Sequence, residues 1–185
     1  YGKERPKLVI GRDTRLSGCM IENALTSGIL SVGADVFLVG HMPTPAIAHL
    51  TKSLHVDAGM VISASHNPAA DNGIKIFRGD GYKLPDDVEE EIEKYILTEK
   101  VKTEHITGSC IGNVYSVDDA KGRYIEFAKA SVKGLSIQGL KIVLDCANGA
   151  AYNTAPQVFR ELGADVIVLN DKPDGLYVTT VGQTV

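Results

Sequence analysis

Apolar and polar positions fall into short blocks along this chain. β-Branched runs at residues 7–10, 34–39 and 58–63 predict buried strands. Between the first two, Ile21, Leu25, Ile29 and Val32 recur at helical spacing, with Ser17 as N-cap and Gly33 as the glycine past the end. Strand, helix and strand within about 30 residues make a βαβ unit, hence parallel strands joined by a right-handed crossover. Pro43-Thr44-Pro45 predicts a threonine N-cap and a proline at the first position of a helix running to about His55. Residues 74–77 alternate like a short strand, and a helix is predicted over 85–99, with Val88, Ile92, Tyr95 and Ile96 on its apolar face.

Residues 100–116 lack periodicity and read as a connection. A helix is then predicted over 117–132, a strand over 140–144, a helix over 151–162 closed by Gly163, and a strand over 164–169. Lys-Leu-Val-Ile and Gly-Ala-Asp-Val-Phe-Leu-Val of the first unit return as Lys-Ile-Val-Leu and Gly-Ala-Asp-Val-Ile-Val-Leu. The expectation is an α/β protein. Residues 1–115 form a mixed, mostly parallel sheet built from βαβ units, and residues 116–185 a linking helix and the first part of a similar second domain.

Composition narrows the function classes. The 185 residues carry a net charge of -4 and are 44% hydrophobic. Basic residues are scattered among acids, which argues against nucleic acid as a partner. No apolar run nears the roughly 20 residues of a membrane span, and no signal peptide is read. Cys19, Cys110 and Cys146 form no Cys-x-x-Cys pair, so a reducing cytoplasm is expected, with the thiols as small core residues rather than reactive groups. The five histidines show no metal-binding spacing; His41, His49, His55 and His105 read as surface or packing residues. The acids between Asp86 and Glu93 read as a solvated helix face.

The stretch that could carry chemistry follows the third strand, where open α/β sheets present ligand sites. Val-Ile-Ser-Ala-Ser-His-Asn-Pro at 61–68 leads into Asp-Asn-Gly-Ile-Lys at 71–75. Ser65 is the candidate nucleophile, and His66, Asn67 and Lys75 are its local polar partners. The sequence matches neither a hydrolase elbow nor a Walker A loop. Ser65 and Asn67 capping a turn before Pro68 is the competing reading, and residue chemistry leaves both open. Arg12, Asp13 and Arg15, after the first strand, read either as phosphate forks or as a surface ion-pair cluster. Asp145, Asn148 and Gly149, at the equivalent place in the second unit, invite a functional reading too, beside the structural one of a turn before a helix.

Ile-Ser-Ala-Ser-His-Asn-Pro at 62–68 with Asp-Asn-Gly-Ile-Lys resembles the phosphoserine loop of the α-D-phosphohexomutases, the phosphoglucomutase/phosphomannomutase superfamily. Gly-Arg-Asp-Thr-Arg-Leu-Ser-Gly at 11–18 resembles the loop that precedes it in that family. Met-Pro-Thr-Pro-Ala at 42–46, Asp-Gly-Tyr-Lys-Leu-Pro at 80–85 and Asp-Cys-Ala-Asn-Gly-Ala at 145–150 are closest to its bacterial phosphoglucosamine mutases. The resemblance implies interconversion of glucosamine 6-phosphate and glucosamine 1-phosphate through a phosphoserine and a bisphosphorylated sugar. Ser65 would carry the phosphoryl group and, through it, ligate Mg²⁺. Lys75 would be the general acid or base, His66 would assist, and Arg12, Asp13, Asn67 and Asn72 would support phosphate or loop.

Against the family pattern, the chain starts after the expected Gly-Thr-Asp-Gly-Ile-Arg-Gly segment. It stops before the Asp-Gly-Asp-x-Asp-Arg metal loop, and Leu-Tyr-Val-Thr-Thr at 176–180 replaces an asparagine-rich turn. A piece of a longer enzyme is expected, inactive alone, with the remaining Mg²⁺ ligands elsewhere. Self-association is expected through an edge or face left uncovered before Lys7. The alternatives are a phosphomannomutase or phosphoglucomutase fragment and a non-catalytic α/β module.

Overall fold

The computed structural model describes residues 5–98, 106–132, 134 and 136–176. Strands β1 (Lys7–Arg12), β2 (Asp35–His41), β3 (Ala58–Ile62), β4 (Ile74–Arg78) and β5 (Val114–Ser116) form one five-stranded sheet in the order β4-β3-β1-β2-β5. β1 pairs parallel with both β2 and β3, and β5 parallel with β2; β4 alone turns back, antiparallel to β3. The mixed, mostly parallel sheet expected from the βαβ pattern is present. β1 lies at its centre, paired on both sides; β4 and β5 are the outermost strands, and residues 82–84 bond to the outer side of β4 through an antiparallel bridge between Phe77 and Lys83.

Helices cover both faces because the strands are apolar on both. Ile10, Val36 and Ile62 pack under Ile21, Leu25 and Ile29 of α1 (Leu16–Ser31). Their neighbours Val9 and Val61 point the other way, onto Ala46, Ile47 and Leu50 of α2 (Thr44–Ser53) and Ala120 of α4 (Ala120–Ala130). Successive strand residues alternate faces, which is why adjacent residues serve opposite layers. His49 of α2 stacks on Phe127 of α4 at 3.9 Å between ring centroids.

Two helix starts differ from the sequence reading. α1 begins at Leu16 with Arg15 as N-cap, because the Ser17 hydroxyl inside the first turn is engaged by the Asn72 carboxamide at 2.9 Å. α2 has Pro43 as N-cap and Thr44 already helical. α3 (Asp86–Thr98) forms where expected but buries none of its residues. Of its predicted apolar face, Val88 and Ile92 are half-buried while Tyr95 and Ile96 are exposed, so the pattern made a helix that is only loosely covered. Lys83 pairs with Asp86 and Glu89 at its start. Within the expected connection, the described part holds β5.

A second unit repeats the first. β6 (Lys141–Asp145), α5 (Ala155–Glu161) and β7 (Asp165–Leu169) form a two-stranded parallel sheet with its helix. Lys141 pairs with Asp165 as Lys7 pairs with Asp35. Gly33 and Gly163 both take positive φ, +87° and +100°, where only glycine escapes a Cβ penalty. α5 is shorter than predicted because residues 151–154 form turns. His105, residue 99 at the end of the predicted α3 and residues 177–180 of the divergent turn lie outside the described residues.

Sheet and α2 meet closely at Gly59. A Cβ there would lie 1.9 Å from Thr51 Oγ1 and 3.2 Å from Thr51 Cβ. Thr51 is fully buried and its hydroxyl donates to the Ile47 carbonyl at 2.7 Å. Gly59→Ala is therefore expected to cost about 2–3 kcal/mol, as overpacked cores do, seen as a lower urea midpoint with an unchanged slope.

Candidate active site

The loops after β1 and β3 meet at the carboxyl edge of the sheet. The Asp13 amide donates to the Ile62 carbonyl at 2.9 Å, tying the end of one strand to the other. The loop at 63–73 closes on itself, with the Ser63 amide donating to the Gly73 carbonyl at 2.8 Å. Ser65 is exposed and takes a left-handed backbone, φ +57°. For a residue with a Cβ that conformation costs about 1–2 kcal/mol, so the surroundings must impose it. The Ser65 amide donates to Ser63 Oγ at 3.1 Å.

Arg15 lies beneath this loop with its side chain wholly buried. Nε donates to Asp13 Oδ2 at 2.9 Å. Nη1 donates to the carbonyls of Pro68 at 2.5 Å and Asp71 at 2.9 Å. Nη2 donates to those of Ser65 at 3.0 Å and Asn67 at 2.9 Å. A guanidinium has five N–H groups, and all are thereby committed. Such a group has no donor left for a phosphate; the ion pair of the other reading is present, with Asp13, but buried beneath the loop rather than on the surface.

Arg12 behaves differently. Its Nε donates to Glu22 at 2.9 Å and its Nη1 contacts His41 Nε2. It faces α1 and the end of β2, and no bond joins it to the serine loop. Asp13 is buried and receives the Arg15 backbone amide at 3.1 Å as well as its side chain. Asn72 bridges loop and helix, receiving the Gly73 amide at 2.9 Å while donating to Ser17. Asn67 contributes its carbonyl to Arg15, and its amide donates to Ala64 at 3.1 Å. Asp13, Asn67 and Asn72 are thus brought together with the loop, and Arg12 is not.

Lys75 is opposite Val61 in the β3–β4 ladder, so it shares the α2 face of the sheet. It is half-buried and makes no hydrogen bond or ion pair with the described residues. His66 is exposed beside Ser65. The arrangement offers a presented hydroxyl at a strand end, a neighbouring imidazole and a cation on the antiparallel strand.

The second unit touches this edge through its own strand-end turn. Thr14, buried, donates its hydroxyl to the Asn148 carbonyl at 2.6 Å. Asp145 Oδ1 receives the Ala147 amide at 2.8 Å and the Asn170 carboxamide at 2.9 Å, so this is a turn held by its aspartate. Cys19 and Cys110 are exposed, contrary to the core role expected of them. Burial raises the Cys146 thiol pKa, with Asp171 and Asp145 adding to it, which disfavours the thiolate. Among the described residues no helix is long and apolar enough to cross a membrane.

A family model, phosphoglucomutase/phosphomannomutase, alpha/beta/alpha domain I, matches residues 1–103. The chain belongs to this family. It is 55% identical over 175 residues to phosphoglucosamine mutase of Thermodesulfovibrio yellowstonii, covering 94% of this chain and 39% of that protein. With phosphoglucosamine mutase of Syntrophus aciditrophicus it shares 58% over 171 residues, 92% of this chain and 38% of the relative. A family member from Burkholderia thailandensis superposes with a TM-score of 0.78 at 29% identity, over 93% of this chain and 37% of that one. The chain therefore spans under two fifths of the length of the curated relatives it matches, 38–39%.

Sequence reasoning missed Arg15 as the loop's support, since an Asp-x-Arg pair carries no sign of what lies above it. Two tests follow from the geometry. Glycine accepts positive φ freely, so Ser65→Gly is expected to be at least as stable as wild type in urea titrations, whereas the β-branched Ser65→Val is expected to be less stable. The His41 pKa is lowered from its ordinary 6.5 by burial and then by Arg12, against an opposing pull from Asp13. The unfolded chain thus binds the His41 proton first as pH falls, and the contribution of neutral His41, complete above 6.5, is lost below it. His49, lowered by burial, acts in the same sense. Urea midpoints should decline from pH 7.5 to 5.5, and His41→Gln should flatten the decline.

Proposed function

We propose that the chain is the phosphoserine-bearing part of an enzyme interconverting glucosamine 6-phosphate and glucosamine 1-phosphate. The observation that carries the reading is the exposed Ser65, presented in a left-handed turn at the carboxyl end of β3. The names of the relatives supply the substrate. In this reading phosphorylated Ser65 gives its phosphoryl group to the free sugar hydroxyl. The Oγ–P bond breaks as Lys75 protonates Oγ, and His66 takes the hydroxyl proton. From the bisphosphate, Ser65 Oγ attacks the other phosphoryl group, Lys75 takes its proton back, and His66 returns the proton it took to the leaving sugar oxygen as that P–O bond breaks. Asp13, Asn67 and Asn72 hold the loop, and Arg12 is assigned to phosphate rather than to loop support.

Mg²⁺ would neutralise charge on the transferring group. The described residues do not make a site for it: no three His, Cys, Asp or Glu side chains among them converge. A phosphate on Ser65 would lend the ion oxygen, and the rest of its roughly octahedral set must come from elsewhere. Residues 1–115 stand in this reading as domain I and 116–185 as a linking helix and the start of domain II, in the cytoplasm.

The 185-residue chain alone is expected not to turn over glucosamine 6-phosphate. Fused to the remaining portion of the Thermodesulfovibrio relative, it is expected to do so in a coupled assay. Ser65→Ala should abolish that turnover, and Lys75→Met should lower it by about 10²–10⁴. A fusion that processes only mannose or glucose phosphates would reassign the substrate, and an active Ser65→Ala fusion would sink the reading.

A further inference from the structure

We propose that Arg15 is a positioning residue, whose guanidinium sets the shape of the serine loop and so holds Ser65 in its left-handed conformation. Its meaning for catalysis rests on the phosphoserine reading above; its geometry and its principal test do not.

The ends of the loop are held by the Ser63 amide on the Gly73 carbonyl and by Asn72 on Ser17, and the Ser65 amide meets Ser63 Oγ. The loop's own backbone bonds between 64 and 71 are those of Asn67 to Ala64 and Asp71 to Pro68, two isolated turns. The carbonyls of Ser65, Asn67, Pro68 and Asp71 turn inward onto one planar cation. These acceptors span the loop from its serine to its last turn, so a single rigid fork fixes their relative positions. The fork is itself fixed: Asp13 receives both Nε and the Arg15 backbone amide, and the Asp13 amide is held by β3 through Ile62. The loop is therefore referenced to β1 and β3, the strands flanking it. A lysine could keep the charge beside Asp13, but its ammonium is a point with three donors and cannot reach this set. Freed of the fork, Ser65 would drift to the commoner backbone regions, and its Oγ would leave the position it now holds. With every N–H committed, Arg15 acts through the loop and not on a phosphate.

Nitrogen-resolved NMR of the chain at neutral pH tests this. In wild type the Arg15 Nη–H protons should give separate, slowly exchanging signals; one averaged, rapidly exchanging signal would overturn the proposal. In Arg15→Lys the amides of Asn67 and Asp71 should exchange at least about tenfold faster, while those of Val9 and Val61 stay within about twofold. Unchanged exchange at Asn67 and Asp71 would also overturn it. Should Arg15→Lys fail to fold, the wild-type signals still decide, and Asp13→Asn, which loosens the anchor, should give the same selective acceleration. In the fusion enzyme Arg15→Lys should lower kcat at least about tenfold with KM little changed, as misplacement of a reacting group does. An inactive fusion with the Arg15 signals intact would count against the phosphoserine reading and leave the clamp standing.

Discussion

A guanidinium stripped of water is costly, by several kcal/mol, unless every N–H finds an acceptor. Arg15 meets that requirement with one carboxylate and four backbone carbonyls. The constraint works in both directions. The charge cannot be buried without the loop above it, and four of the loop's carbonyls turn to it for a donor. Asp13 holds the charge balance, and the Asp13 amide to Ile62 binds the pair to the sheet. The carboxyl edge of the sheet is thereby organised around one buried ion pair, and the exposed serine sits on top of it.

Around that edge the fold divides labour by strand parity. Odd and even residues of β1 and β3 feed separate apolar layers, one under α1 and one under α2 and α4. The same alternation sets Lys75 on the α2 face, opposite Val61. Residues 13, 14 and 15 extend the economy past the strand. Asp13 and Arg15 serve the serine loop, and Thr14 between them bonds to the strand-end turn of the second unit.

Much of this was legible in the chain. The βαβ order, the repeat and the place of the serine loop follow from apolar runs, Gly33 and Gly163, because burial and positive φ leave local marks. The structure adds that the two units share a register, Lys7 against Asp35 and Lys141 against Asp165. What could not be read depends on partners distant in sequence. Ser17 looks like a cap until Asn72 takes its hydroxyl. α3 has an amphipathic pattern, yet nothing in that pattern says whether a surface exists to receive it. Arg15 and Arg12 are indistinguishable by type and spacing, and only the course of the loop above separates a buried clamp from a residue facing Glu22 and His41.

The loosely covered α3 belongs to the segment that carries the chain from β4 at one side of the sheet to β5 at the other, a distance of roughly 19 Å across four strand spacings. Since no residue of the helix is fully buried and most are exposed, it is a natural seam. Cleavage there would part the polypeptide into a piece bearing the serine loop and a piece bearing β5, α4 and the second unit. Those pieces would keep their own means of rejoining: the β2–β5 ladder, the stacking of His49 on Phe127 and the bond from Thr14 to Asn148. The architecture thus contains a ready-made pair of complementing fragments.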